Sequence, residues 1–310
     1  MRPEPVLSAD SLAVRYGDTT AVAGVSFDAL GGEVRGIIGP DGAGKTSTLR
    51  VLAGLMRADG GEARAFGMPI WQHRRELHHR LGYLAQGFAL YGDLTVDENI
   101  QFFAQLYGVK SWRARRARLL ERVALDRFRD RGADALSGGM KQKLALVCTL
   151  IHEPEVLLLD EPTTGVDPVT RRELWRFLGD QVADGLTLVV TTPYIDEAER
   201  CSRVVLMHRG RVVADERPDA IPDRVPGTLV EVLCEDRAGA QAALGGIGGL
   251  VDLTPFGSAF HARFEGNGNA AERVRLTLEG AGIAPAEVRV VKASLEDAML
   301  YLTGGEEEGS

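Results

Sequence analysis

The chain has 310 residues, 45% of them hydrophobic and 26% charged, a balance that can bury a core in one large domain and a smaller one. A formal net charge of −8 argues against nucleic acid as the main partner. No apolar run approaches the ~18 residues of a membrane span, the start Met1-Arg2-Pro3-Glu4-Pro5 lacks a signal peptide's apolar core, and the three cysteines (Cys148, Cys201, Cys234) have no metal-ligand spacing. These features predict reduced cytosolic thiols in a chain that neither spans a membrane nor is exported.

Residues 6–37 read as short strands with turns at Tyr16-Gly17-Asp18 and Leu30-Gly31-Gly32. Two readings stand for Tyr16: a flat ring stacked on a base, or a sheet aromatic packed in the core. Next comes Gly39-Pro40-Asp41-Gly42-Ala43-Gly44-Lys45-Thr46, which matches the phosphate loop G-x-x-x-x-G-K-[ST]. A strand at 34–38 precedes it, and a helix from Thr46 ending near Gly54 follows. That arrangement aims backbone N–H groups and the positive end of a helix dipole at an anion. Lys45 would reach the β- and γ-phosphates of a nucleotide, and the Thr46 hydroxyl would ligate Mg²⁺.

Gly60-Gly61-Glu62 reads as a turn, and residues 73–80 as a polar, basic helix. Its neighbours His78 and His79 should point to different faces, as solvated surface rather than joint metal ligands. A short apolar strand at 81–85 ends at Gln86. The apolar and aromatic loop 87–94 that follows, with Phe88, Leu90 and Tyr91, either folds back on the core or docks a partner. Residues 95–152 are helical, with breaks near Gly108 and Gly132 and a capping box at Thr95–Glu98. Eight arginines against three acids in 111–131 read as a solvated face in preference to a nucleic-acid contact.

Ser137 should cap a helix running to about His152, which makes Ser137-Gly138-Gly139 a second glycine-rich helix start. Val156-Leu157-Leu158-Leu159-Asp160-Glu161 reads as a buried parallel strand whose carboxyl end meets the active-site edge. Asp160 would hold Mg²⁺ directly or through water, and Glu161 would orient or deprotonate an attacking water. A further buried strand spans 186–191, Thr192-Pro193 reads as an N-cap with proline at the first helical position, and a hairpin turns at His208-Arg209-Gly210. The fold class is therefore α/β, a P-loop NTPase domain over 1–222 with a helical subdomain at about 87–152. Residues 223–303 follow in the order β-α-β-β-α-β, a small ferredoxin-like α+β domain, with a disordered tail at 304–310.

Together these motifs resemble the ATP-binding cassette (ABC) ATPases. The likeness rests on the loop at 39–46, Gln86, Leu136-Ser137-Gly138-Gly139, the strand 156–161 and Gly165-Val166-Asp167, and it covers roughly residues 5–220. Gly165-Val166-Asp167-Pro168, Asp196-Glu197-Ala198-Glu199 and Ser294-Leu295-Glu296-Asp297 are similar to the type 2 exporters of drug and daunorubicin-like efflux. The resemblance implies ATP and Mg²⁺ as cofactors. ATP would be held by Tyr16 and by Gly39, Pro40, Asp41, Gly42, Ala43, Gly44, Lys45, Thr46 and Ser47, and the metal by Thr46, Gln86 and Asp160. Glu161 and Gln86 would be catalytic. Leu136, Ser137, Gly138 and Gly139 would serve ATP on an opposite cassette, and Asp167 would link the two sites.

The partners implied are membrane-spanning permease subunits, met by the loop after Gln86, and a second cassette, with no nucleic acid. The place implied is the cytoplasmic face of the cell membrane. Family members usually carry Thr-His-Tyr where this chain has Thr192-Pro193-Tyr194, and proline offers the γ-phosphate no donor. Losing one such contact costs roughly 10²–10³ in rate. The expected function is the ATP-hydrolysing subunit of an exporter. The alternatives are a soluble ABC ATPase outside transport, and a degenerate cassette that mainly binds ATP and supports a catalytic partner.

Overall fold

Two strands open the chain, β1 (Leu7–Tyr16) and β2 (Thr19–Ala29), paired antiparallel and longer than their pattern suggests. Register shifts at Ala9/Leu12, Leu12/Ala13 and Val14/Arg15 break the alternation, so continuous strands read as short ones. The computed structural model describes residues 4–87, 90–266 and 268–304. They fall into two compact units, 1–218 and 219–310.

In the first unit β3 (Val34–Ile38) leads to α1 (Lys45–Leu52), then β4 (Gly60–Ala65), β5 (Met68–Pro69), α2 (Ile70–Leu77) and β6 (Leu81–Leu84). The helices α3 (Val96–Leu106), α4 (Trp112–Arg122) and α5 (Gly138–Leu150) come next. The unit closes with β7 (Val156–Asp160), α6 (Pro168–Ala183), β8 (Thr187–Thr192), α7 (Ile195–Ala198), β9 (Arg203–His208) and β10 (Arg211–Glu216). One antiparallel sheet has the order β2-β1-β4-β5 and the other β10-β9-β3-β8-β7-β6. The second is parallel from β9 to β6, with β10 added antiparallel at the edge. Every residue of β7 and β8 is buried, as a parallel sheet covered on both faces requires. A single core joins the sheets through α1, where Leu49 and Leu52 meet Leu12 and Val22 from one side and Leu158 and Val189 from the other.

Several local expectations are corrected. Gly60-Gly61 is not a turn but the start of β4. Gly61 has φ +73°, and a Cβ there would fall 2.3 Å from the Ser11 carbonyl oxygen, so the glycine marks a bulge opposite β1. The helix around His73 stops at Leu77, leaving His78 and His79 outside it. Their rings lie 3.7 Å apart rather than on separate faces, and His78 rests on Tyr107, which stacks flat on His152 at 3.8 Å. Thr192 does not cap a helix with Pro193 at its first position, because β8 runs through Thr192 and α7 starts after Tyr194. Thr192 Oγ1 accepts from the Tyr194 N–H at 3.1 Å and donates to the buried Glu197 at 2.6 Å, so Pro193 sits in a bend between strand and helix.

Other local chemistry is as read. Thr95 and Glu98 form a capping box on α3, and Ser137 Oγ accepts from the Met140 N–H at the start of α5. The basic stretch is tied to acids: Asp97 takes Arg116 and Arg129, Glu153 takes Arg115, and Asp184 takes Arg122. Cys148, Cys201 and Cys234 are free and buried, and burial pushes the Cys201 thiol up to about 12.

The second unit contains β11 (Thr228–Leu233), α8 (Arg237–Leu244), β12 (Leu250–Phe256), β13 (Ala259–Phe264), α9 (Ala270–Gly280), β14 (Glu287–Val291) and α10 (Leu295–Gly304). Its antiparallel sheet, in the order β12-β13-β11-β14, is the split βαβ arrangement. Val230, Val232, Phe260 and Phe264 pack with Leu244 of α8 and with Val274 and Leu278 of α9. His261 bonds Asp297 of α10 at 2.7 Å, while Ser294 and Asp297 cap that helix reciprocally. Gly304, expected in the tail, instead closes α10, and Phe88 and the rest of the expected tail, 305–310, lie outside the described residues.

Candidate nucleotide site

The loop 39–46 joins the carboxyl end of β3 to α1, where a central parallel strand delivers ligands. Gly44 has φ +97°, and a Cβ on it would stand 2.3 Å from the Ala21 carbonyl oxygen, so only glycine turns the chain into the helix here. Lys45 is nearly buried and folded back: its Nζ donates to the carbonyls of Gly39 at 2.9 Å and Pro40 at 3.1 Å. Those bonds hold an ammonium at the mouth of the loop, a charged donor suited to an anion.

Asp160 closes β7 at 1% exposure. Thr46 Oγ1 donates to its Oδ1 at 2.9 Å and Thr191 Oγ1 to the same oxygen at 2.8 Å. Among the described residues no lysine or arginine pairs with it, so an almost fully buried carboxylate stands against hydroxyls alone. Such a set of hard oxygens fits a magnesium ion. Glu161 follows with φ +49°, a left-handed backbone that non-glycine residues seldom adopt. Its N–H is pinned by the Thr191 carbonyl and hydroxyl. Its carboxylate takes the Gln86 amide at 2.9 Å and the Thr164 hydroxyl at 3.2 Å on Oε2, with Lys45 Nζ 3.7 Å from Oε1.

One open cleft is lined by Asp41 to Ser47, Gln86 and Glu161, together with Thr19, Thr20 and Ala21. Tyr16 stands beside it, 48% exposed, its hydroxyl 3.3 Å from Ser47 Oγ. That exposure rules out the core reading of its ring. Leu136, Ser137, Gly138 and Gly139 do not line this cleft. Leu136 is buried, and Ser137 and Gly138 are exposed at the head of α5. Asp167 is likewise away from the cleft, capping α6 by accepting from the N–H groups of Val169 and Thr170. Those bonds, Thr170 foremost, hold its carboxyl below the usual range.

Thr191 and Thr164 escaped the sequence reading. Thr191 looked like one more β-branched residue ending an apolar strand. The signal was its polarity, a hydroxyl at the carboxyl end of a buried strand beside the acid pair.

A family model described as ABC transporter matches residues 22–164. The chain is 35% identical over 309 residues to the daunorubicin resistance ATP-binding protein DrrA2 of Streptomyces coeruleorubidus, across 97% of this chain and 96% of that one. The chain belongs to the ABC transporter family. The cassette is also 42% identical over 219 residues to the probable multidrug ABC transporter ATP-binding protein YbhF of Escherichia coli (strain K12), across 70% of this chain but 38% of that one, so it spans well under half of that relative. Among solved structures it is similar to the ATP binding subunit of an ABC transporter (TM-score 0.65, 30% identity, 71% of this chain and 92% of that one). It is similar too to the dimeric ATP-binding cassette MJ0796 bound to ADP and Pi (TM-score 0.62, 25% identity, 68% of this chain and 98% of that one). The fold is that of a P-loop NTPase, and the cassette is an ATPase of this family.

Proposed function

We propose that this cassette is the ATP-binding and ATP-hydrolysing subunit of a membrane exporter, one of two cassettes that clamp around ATP and move membrane-spanning subunits supplied by other chains. The carrying observation is the convergence of Lys45, Thr46, Asp160, Glu161 and Gln86 at one end of a parallel sheet. Gly39 to Ser47 cradle the phosphates, Lys45 takes the β- and γ-phosphates, and the exposed ring of Tyr16 stacks on adenine. Glu161, oriented by Gln86 and Thr164, positions the attacking water and takes its proton. Thr46, Gln86 and Asp160 hold Mg²⁺, which when bound neutralises charge on the phosphates.

Leu136, Ser137, Gly138 and Gly139 stand outside their own cleft, and Ser137 and Gly138 are exposed at a helix start suited to an anion. This supports a head-to-tail pair in which each cassette supplies these residues to the other's ATP, with Asp167 between the two sites. Among the described residues no helix is long and apolar enough to cross a membrane, so the work at the cytoplasmic face of one passes through permease partners. Leu90 and the 45%-exposed Tyr91 offer that contact. The relatives' names, a daunorubicin resistance protein and a probable multidrug transporter protein, favour drug-like cargo.

A second reading rests on Pro193, which is exposed and donates nothing: the cassette's own site is weakened and a partner cassette does most of the hydrolysis. The test is co-expression with candidate membrane-spanning partner subunits. Co-purification and ATP-dependent export that Glu161→Gln abolishes support the exporter reading; a chain that captures no membrane protein and hydrolyses ATP alone counts against it.

A further inference from the structure

One buried polar atom behind the cleft is unused by this chemistry. Tyr83 lies in β6, in register with Leu158 of β7. Alternate residues of a strand share a face, so Tyr83, Leu158 and Asp160 look out from the same side of the sheet. That side is covered by α1, and Tyr83 packs against the core there. Its hydroxyl is buried and makes no hydrogen bond of good geometry, although the Arg50 and Asp160 side chains lie close enough to act on it. Buried hydroxyls are almost always paired, so an orphan beside a working site needs a reason.

Two charges give one. Burial pushes the Tyr83 phenol up and the Asp160 carboxylate pushes it further, while the Arg50 guanidinium draws it down. Arg50 lies one turn beyond Thr46 on α1, and its own pKa is raised, first by Tyr83. The phenol therefore stands between a cation on α1 and the carboxylate at the end of β7. Both hydroxyls that now hold Asp160, from Thr46 and Thr191, end on Oδ1. A carboxylate that turns one oxygen toward a cation presents the other to its surroundings, where a further donor fixes its rotation.

We propose that Tyr83 is a positioning residue for Asp160, donating its hydroxyl to the carboxylate in the nucleotide- and magnesium-loaded cassette while Arg50 donates to the phenol oxygen. An arginine bound to that oxygen polarises the O–H and strengthens its donation. The inference rests on the reading of Asp160 as a magnesium residue.

The experiment measures binding of a fluorescent ADP analogue to the full chain across a magnesium titration and in EDTA, together with melting temperature. Tyr83→Phe should raise the magnesium concentration for half-maximal tightening about tenfold. It should leave binding in EDTA unchanged and the metal-free melting temperature unchanged or higher, since it deletes an unpaired group. Arg50→Met, at an exposed position, should shift the magnesium midpoint the same way by less. An unmoved midpoint in both variants, or a melting temperature that Tyr83→Phe lowers equally with and without metal, would overturn the proposal. The underlying reading fails separately if wild-type binding ignores magnesium or if Asp160→Asn leaves the titration unchanged.

Discussion

Thr191 Oγ1 and Asp160 Oδ1 lie 2.8 Å apart across β7 and β8, at the register position where Asp160 pairs with Thr191. The same threonine accepts the Glu161 N–H at 2.9 Å, so one hydroxyl holds two consecutive acids, the second of them in a strained left-handed backbone. Thr191→Val keeps the shape and removes both bonds. The expected outcome is a kcat lower by about tenfold with nucleotide affinity nearly kept, and a stability loss of about 1–2 kcal/mol from two lost hydrogen bonds, one of them to a buried carboxylate. Steady-state kinetics and urea denaturation check it; a change in KM alone would assign Thr191 to binding instead.

Lys45 and Glu161 are 3.7 Å apart but serve different steps, so their variants should separate. Lys45→Ala removes the ammonium that faces the phosphates and should weaken ATP binding by about 100-fold, by the usual worth of charged hydrogen bonds. Glu161→Gln keeps the amide bonding with its neighbours and should retain ATP affinity while hydrolysis falls by about 10²–10⁴. Calorimetry reads the first effect and phosphate release the second. Undiminished affinity in Lys45→Ala would remove the phosphate-loop assignment.

What the sequence made legible follows from how local each signal is. The loop 39–46, the buried strand 156–160 and the caps at Thr95 and Ser137 depend on neighbours within a turn or a strand, and they stand where the pattern put them. Features set by distant partners were misread. Gly61 looked like a turn because its reason, the Ser11 carbonyl, lies on another strand, and Thr192 looked like a cap because Glu197 was not known to be buried beneath it. The element order of the second unit followed from its alternation, but Pro255 fell outside the strand expected there; it lies on β12, an edge strand where a missing N–H costs little. Tyr83 and Thr191 were opaque: each is one residue of an apolar strand until the sheet order places it beside Asp160.

The partner contact is testable on the residues that are described. Tyr91 is 45% exposed, edge-on to Phe102 at 4.6 Å, with its N–H held by Asn99. Leu90 beside it is half-buried. Tyr91→Glu should leave the melting temperature and the ATPase rate of the isolated cassette within error, because little apolar area is lost. With membrane partners present, transport per ATP hydrolysed should fall severalfold. Transport equal to wild type would show that the partner seats elsewhere.

His152 gives a pH dependence of stability. Burial holds its pKa down, at about 4, as the ring stacks on Tyr107 and bonds the Leu81 carbonyl. A histidine whose folded pKa lies below the unfolded value of about 6.5 is neutral when folded and protonated first when unfolded. Its contribution is therefore complete above pH 6.5 and is lost as pH falls toward 4, by about 3 kcal/mol. His152→Phe keeps a ring for the stack and should flatten the stability curve between pH 6.5 and 4. A slope unchanged by the substitution would assign the acid sensitivity to other groups.

Pro193 has a testable consequence in the proposed pair. It occupies a bend between β8 and α7, with Thr192 held by Tyr194 and Glu197 on either side, so the backbone there is already organised without it. Proline has no side-chain donor and no N–H, so it adds nothing to a γ-phosphate. In the proposed head-to-tail pair, each composite site would take its phosphate loop, its Glu161 and its residue 193 from one cassette, and Ser137-Gly138-Gly139 from the other. A homodimer would carry the deficit twice and should turn over slowly, roughly 10²–10³ below a cassette with the donor. Paired with a cassette that keeps a histidine, this chain still offers intact Ser137, Gly138 and Gly139, and the partner's site would do most of the hydrolysis. The measurement is the ATPase rate of the chain alone, of Pro193→His and of Glu161→Gln. We expect a slow wild type, a Pro193→His faster by tenfold or more, and a partner-driven rate that survives Glu161→Gln in this chain. A fast wild-type homodimer silenced by Glu161→Gln would refute the asymmetric pair, and some other group would then stand in for the imidazole.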